Sequence, residues 1–160
     1  KQEAFLSKNP NGKIPLLALS NNRYLTESNA IMNYLAAGSD LLPTDNFDLA
    51  KVQQWQFFEQ YSHEPFIAVA RFIAKYLGLP DTHKAEYEAK HQGGYKALSV
   101  MEEQLSKTPY LVGQQQTTAD IALFAYTHVA DEGGFDLKDY PAILAWIDKI
   151  KKHPNYINMI

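Results

Sequence analysis

Two short stretches near the start of the chain carry residues whose types and spacing suit ligand chemistry. In Tyr24-Leu-Thr-Glu-Ser-Asn-Ala-Ile31, Ser28 stands where an extended run gives way to a helical pattern. The first N–H groups of a helix lack intrahelical acceptors and bind carboxylates, and a serine hydroxyl adds one more donor. Glu27 places a negative charge beside them. A receptor for a carboxylate and a partner for an ammonium, side by side, suit the α-amino acid end of a ligand. The same residues also fit a plainer role, in which Ser28 caps its own helix. In Asn9-Pro-Asn-Gly-Lys-Ile-Pro15, a proline heads a strand. Its peptide bond is either trans, closing a turn, or cis. A cis Ile14-Pro15 bond would turn the N–H and C=O of Ile14 out of the sheet, where a short peptide could pair with them.

A third constellation has the opposite character. Tyr110-Leu-Val-Gly113 is followed by a loop and then by Thr117-Thr-Ala-Asp120-Ile-Ala122. Thr117 and Asp120 have capping-box spacing, each side chain able to bond the other's backbone N–H. This is a structural device, expected to be buried and needed for folding rather than for chemistry.

The elements that must position these groups follow from periodicity and breakers. Residues 2–8 read as the end of a short helix stopped by Asn9-Pro10-Asn11-Gly12. Residues 14–26 read as an antiparallel hairpin turning at Asn21-Asn22. A helix runs from Ser28 to about Ala37, ended by Gly38. Everything after Asp45 reads as helix. Trp55, Phe58, Ser62, Phe66, Val69, Ile73 and Leu77 mark one face of a long helix at spacings of three and four. Pro65 inside it predicts a kink. A second long helix covers about Thr82 to Ser106, with Tyr87, His91, Tyr95, Leu98, Met101 and Leu105 on its apolar stripe. A third begins near Thr117 and carries Ile121, Phe124, Ala125, His128 and Val129. A fourth runs from Pro141 to about Lys152.

Composition narrows the function classes. Without cysteine the chain offers no disulfide, thiolate metal site or cysteine nucleophile, which suits a reducing, cytoplasmic setting. No His and carboxylate set has metal spacing, so no metal is expected. A net charge of −3 offers no basic excess for nucleic acid, and Lys149, Lys151 and Lys152 read as a solvated helix face. No apolar run is long enough for a membrane span. The chain opens without methionine, in what reads as the middle of an amphipathic helix, and is expected to be a fragment.

Taken in order, Asn-Pro-Asn-Gly-Lys-Ile-Pro, Leu-Thr-Glu-Ser-Asn-Ala-Ile and Tyr-Leu-Val-Gly…Thr-Thr-Ala-Asp-Ile-Ala resemble the cytosolic glutathione transferases of bacterial type, along essentially the whole chain. The resemblance implies a mostly α chain: a partial thioredoxin-like α/β domain (hairpin plus helix) at 1–40, then an all-helical carboxy-terminal domain at 46–160. It implies a homodimer, and a cis bond at Ile14-Pro15. Ile14 would hold the cysteinyl backbone of glutathione, Glu27 and Ser28 its γ-glutamyl end, and Lys13 would sit near its glycyl carboxylate. A small electrophilic co-substrate would lie against Arg71, Phe72, Tyr76, Tyr126 and His128, side chains whose helical spacing fits a plain core equally well. In this family the Tyr, Ser or Cys that contacts the sulfur belongs to a first strand-helix-strand unit, expected before residue 1. No residue of this chain takes that role, and Tyr24 lies on the wrong strand for it. The expected activity is transfer of the glutathione thiol to an electrophile. A non-catalytic binding or regulatory module of the same architecture is the alternative.

Overall fold

The computed structural model describes residues 2–158. A short helix α1 (Glu3–Leu6) leads to a hairpin of β1 (Leu16–Ala18) and β2 (Tyr24–Thr26), antiparallel with Leu17 opposite Leu25. The turn centres on Asn21 and Asn22, at φ 60° and 54°. Asparagine tolerates this left-handed region better than most residues. Helix α2 (Ser28–Ala36) follows and packs back on β2. This hairpin-plus-helix unit and the helical remainder are the architecture that the resemblance implied.

The helical part comprises α3 (Asn46–Phe58), α4 (Glu64–Arg71), α5 (Lys84–Leu105), α6 (Thr118–Thr127) and α7 (Pro141–Lys151). Asp45 starts α3 by accepting from the N–H groups of Phe47 and Asp48. Its carboxylate thereby closes two of the orphan donors that every helix start carries. A core built on Trp55, Ile67, Leu98, Met101, Leu123 and Trp146 is shared by all five helices. Helix α4 approaches α5 closely because α5 has Gly93 and Gly94 at the contact. A Cβ at Gly93 would lie 2.2 Å from the Phe66 ring, and one at Gly94 would lie 2.3 Å from Phe135.

The long helix does not bury the stripe that a uniform 3.6-residue period predicts. Ser62, Phe66 and Val69 are only half-buried and Leu77 is exposed, while Glu59, His63, Ile67, Ala70 and Ile73 are buried. Two π-helical turns are responsible, Glu59–His63 between α3 and α4 and Phe72–Tyr76 after α4. Each reaches back five residues instead of four and shifts the face that follows. Pro65 sits in the first turn of α4, directly after the first π turn. There its missing N–H costs little, so the expected break takes the form of a widened turn. In α6 the buried face is Ala119, Ala122, Leu123 and Thr127, and Ile121 is exposed.

The two parts are tied by a buried polar triad. Gln56 donates to Asn33 Oδ1 at 2.8 Å and to Thr118 Oγ1 at 3.1 Å, and accepts from Asn33 Nδ2 at 2.8 Å. Thr118 Oγ1 donates in turn to Asn33 Oδ1 at 2.7 Å. Helices α2, α3 and α6 meet at this point. Among the described residues no helix is long and apolar enough to cross a membrane.

Candidate functional site

Lys13, Ile14, Pro15, Glu27 and Ser28 are brought together. All five line one cavity of about 290 Å³ where the hairpin faces the start of α4. The Ile14-Pro15 bond is cis. Ile14 is 84% exposed, and its backbone N–H and C=O have no hydrogen-bond partner among the described residues. The segment before it is braced by Asn9, a buried side chain that donates to the Lys13 carbonyl at 2.6 Å and accepts from the Asn11 N–H at 3.1 Å.

Ser28 does not cap α2. Glu27 holds the N-cap position, with φ 69°, and neither side chain bonds the helix start. The N–H groups of Ser28, Asn29 and Ala30 have no partner among the described residues. Helix starts normally find acceptors for such donors. Here they stand open, with Ser28 lining the smaller cavity and the larger cleft, Asn29 lining the cleft, and the Glu27 carboxylate next to them.

The opposite wall was not expected from the sequence. Gln60, Glu64, Pro65 and Val69 close the cavity from the α3–α4 side. Gln60 donates to Glu59 at 2.6 Å and to Glu64 at 2.8 Å. Burial pushes the Glu59 carboxyl above its ordinary range, against the pull of the Gln60 hydrogen bond, and the nearby Glu64 adds to the push. Polar residues on a helix read as solvated in sequence. The signal that marks these as different is the run Glu59-Gln-Tyr-Ser-His-Glu-Pro65, which breaks the apolar period at the π turn.

The cavity opens onto a cleft of about 920 Å³, to which Ile14, Pro15, Ser28, Gln60 and Glu64 also contribute. Ile121, Ala125 and Tyr126 of α6 form one side, which explains why Ile121 is left out of the core. Gln114, Gln115 and Gln116 of the preceding loop, and Tyr156 and Ile157 near the end of the chain, extend it. Burial raises the Tyr126 hydroxyl pKa, with Glu64 and Glu59 acting in the same direction, so it stays protonated.

The other residues expected around the electrophile lie elsewhere. Phe72 and Tyr76 are exposed on the second π turn, their rings 6.0 Å apart. Arg71 is held by Glu132 at 2.5 Å and lies over the Tyr76 ring. His128 stacks on Phe124 with centroids 4.4 Å apart, its Nδ1 2.7 Å from the Phe124 carbonyl, and borders a separate surface groove. The π turns displace the first three, and the end of α6 at Thr127 displaces His128. His63 is buried in the core, where its Nε2 lies 2.9 Å from Thr127 Oγ1. The Thr127 hydroxyl proton goes to the Leu123 carbonyl, so His63 Nε2 is the donor and Nδ1 is left without a partner.

Thr117 and Asp120 form the capping box at the start of α6. Asp120 is fully buried and accepts from the N–H of Leu111 and Trp146 Nε1 on one oxygen, and from the N–H and Oγ1 of Thr117 on the other, all between 2.9 and 3.1 Å. It lines neither cavity.

Comparisons with known proteins agree along the chain. Residues 1–37 match the family model for the glutathione S-transferase N-terminal domain, and residues 55–154 match that for the C-terminal domain. A crystal structure of a glutathione S-transferase from Pseudomonas fluorescens Pf-5 superposes with a TM-score of 0.98 at 61% identity, covering 100% of this chain and 80% of that one. Glutathione S-transferase F10 of Arabidopsis thaliana is 35% identical over 161 residues, 94% of this chain and 74% of the relative. A sphingomonad glutathione S-transferase in complex with glutathione superposes with a TM-score of 0.79 at 28% identity, covering 95% of this chain and 74% of that one. With both family models matched in order, and with close relatives spanning nearly all of its length, the chain belongs to the glutathione S-transferase family.

Proposed function

We propose that the protein binds glutathione in the smaller cavity and transfers its thiol to an electrophile held in the larger cleft. The observation that carries this reading is the convergence of Lys13, Ile14, Pro15, Glu27 and Ser28 on one cavity that opens into a second, more apolar space. The free N–H and C=O of Ile14 pair with the cysteinyl backbone in the manner of a strand. The open donors at the start of α2 and the Ser28 hydroxyl take the γ-glutamyl carboxylate, and Glu27 takes its ammonium. Lys13 takes the glycyl carboxylate. Tyr126 borders the electrophile. Thr117 and Asp120 serve the fold alone.

The chemistry is formation of a carbon–sulfur bond. A free thiol titrates near about 8.5, so the site must favour the thiolate, which then attacks the electrophilic carbon while a leaving group departs with its bonding pair. Holding both reactants in adjoining cavities supplies proximity. We assign the group that contacts the sulfur to none of the described residues. Tyr24, the candidate phenol on the hairpin, lines neither cavity, and its ring faces the Lys8 ammonium at 5.4 Å. The same reading divides the chain into domains at 1–40 and 46–160. It takes a homodimer of the bacterial type as the working form and the cytoplasm as its setting. Calorimetric titration with glutathione, beside a conjugation assay with 1-chloro-2,4-dinitrobenzene on the full protein, tests it. Absence of glutathione binding ends the proposal.

A further inference from the structure

The larger cleft has an unbalanced charge. Asp40, Glu59 and Glu64 line it, and among the described residues no lysine or arginine does. The nearest cations are accounted for. Arg71 lies outside the lining and is held by Glu132. Lys149 sits 5.1 Å over the ring of Tyr110, which lines the cleft, but Lys149 itself is solvent-exposed, where water and salt screen it. Lys13, the one cation of the adjoining cavity, belongs to the glutathione side. Met32, Ile121, Ala125 and Tyr126 supply apolar surface beside Asp40, Glu59 and Glu64, and Gln114, Gln115 and Gln116 add uncharged polar groups.

We propose that this cleft selects its electrophile by charge, accepting neutral and cationic apolar groups and excluding anionic ones. The inference rests on the glutathione reading above, because it concerns what lies beside the bound sulfur. An anion placed against the α6 wall would give up water in a space whose acidic neighbours are carboxyl groups, with no lysine or arginine among the described residues to replace the lost solvation. Like charges a few ångströms apart in a partly water-excluded cleft repel far more strongly than in bulk water. The side chains respond to the same field. Tyr126 is held protonated chiefly by burial and then by Glu64 and Glu59, and only Arg71 opposes them. A cationic group meets the opposite situation and gains from each carboxylate it approaches.

Three ligands with a common peptide and ring isolate the effect: S-benzylglutathione, S-(4-carboxybenzyl)glutathione and S-(4-aminomethylbenzyl)glutathione. Each is titrated calorimetrically into the full protein at about pH 8, where the ligands' carboxylate is ionised and the aminomethyl group protonated. The carboxybenzyl ligand is expected to bind at least about tenfold more weakly than the benzyl ligand, and the aminomethyl ligand at least as tightly as the benzyl one. Raising salt from about 50 to about 500 mM is expected to narrow the gap severalfold. In Glu59→Gln/Glu64→Gln the ratio of the anionic to the neutral ligand is expected to move towards one. The ratio is the readout because Glu64 also lines the glutathione cavity. Should that variant fail to fold, Asp40→Asn, at an exposed position, gives the same comparison with a smaller shift. An anionic ligand that binds as well as the neutral one overturns the proposal, as does a gap indifferent to both salt and substitution, which would be steric. Failure of S-benzylglutathione itself to bind overturns the glutathione reading instead, and this inference with it.

Discussion

Helices α2 and α6 both begin where a loop or strand ends, and their first turns are built in opposite ways. At α6 the carboxylate of Asp120 gathers four donors from three parts of the chain, and the Thr118 N–H finds the Leu41 carbonyl. At α2 the N-cap residue Glu27 caps nothing, the first three N–H groups have no partner among the described residues, and Ser28 lines a cavity. A helix start that satisfies its own donors contributes to stability. One that leaves its donors exposed has them solvated by water and available to a ligand's carboxylate, next to the Glu27 charge. The contrast separates the structural motif from the binding motif in a chain where both began as a hydroxyl residue ahead of a helix.

The largest expected effect lies on the closed side. Asp120→Ala leaves the N–H groups of Leu111 and Thr117 and the Trp146 indole N–H buried without an acceptor. A loss of about 4 kcal/mol follows from roughly 1–3 kcal/mol per orphaned group. The thermal midpoint should fall by roughly 10 °C, at about 2–4 °C per kcal/mol for a chain of this size, while the folded fraction keeps its affinity for glutathione. A variant that melts normally but no longer binds would erase the distinction between the two helix starts.

His63 tests an intermediate case, a buried group with one nitrogen satisfied and one not. Burial lowers its pKa from the ordinary 6.5 to about 4. Between these values the unfolded chain takes up the proton and the folded chain does not. The stability contribution is therefore full above about pH 6.5 and is lost as pH falls towards 4. At about 1.4 kcal/mol per pH unit this amounts to about 3 kcal/mol. Urea melts across that range should show the slope, and His63→Gln should flatten it. A slope unchanged in the variant would assign the loss to other groups.

On the open side, Ser28→Ala and Glu27→Ala should each weaken glutathione binding by about 1.5–3 kcal/mol, the range for hydrogen bonds to charged groups. Melting should move little, because neither side chain bonds anything in the free protein. Unaltered affinity would place the ligand elsewhere. The smallest effect is also the sharpest. Glu27→Gly removes a side chain from a backbone at φ 69°. Relief of about 1 kcal/mol is expected, with glutathione affinity reduced at the same time. Opposite signs for stability and binding would mark Glu27 as a functional compromise, and a loss of both would make it structural.

Much of this was legible in local spacing. The hairpin, its Asn21-Asn22 turn, the end of α2 at Gly38 and the Thr117–Asp120 box each depend on a few adjacent residues whose chemistry permits little else. The cleft was harder. A single 3.6-residue period carried across Glu59–His63 makes core of Phe66 and Val69, which are only half-buried, although it places Ile73 correctly; Arg71, Phe72 and Tyr76, expected at the cleft from the resemblance, lie outside it. The polar run Glu59–Pro65 interrupts the apolar period at the first π turn, but a reading that carries one period through it does not register the interruption. Gln60 and Glu64 were missed for a related reason: on one helix alone they look like solvent-facing residues, and only the hairpin packed opposite makes them a wall.

The Asn33–Gln56–Thr118 triad limits how the molecule can move. Gln56 is 3% exposed, and its amide is fully engaged across three helices. Any hinge opening between hairpin unit and helical bundle would break four hydrogen bonds at once, one of them fully buried and three partly so. The two parts therefore behave as one rigid body and should unfold as a single cooperative unit. The parts of the cleft lining outside this junction include the glutamine loop at 114–116 and Tyr156.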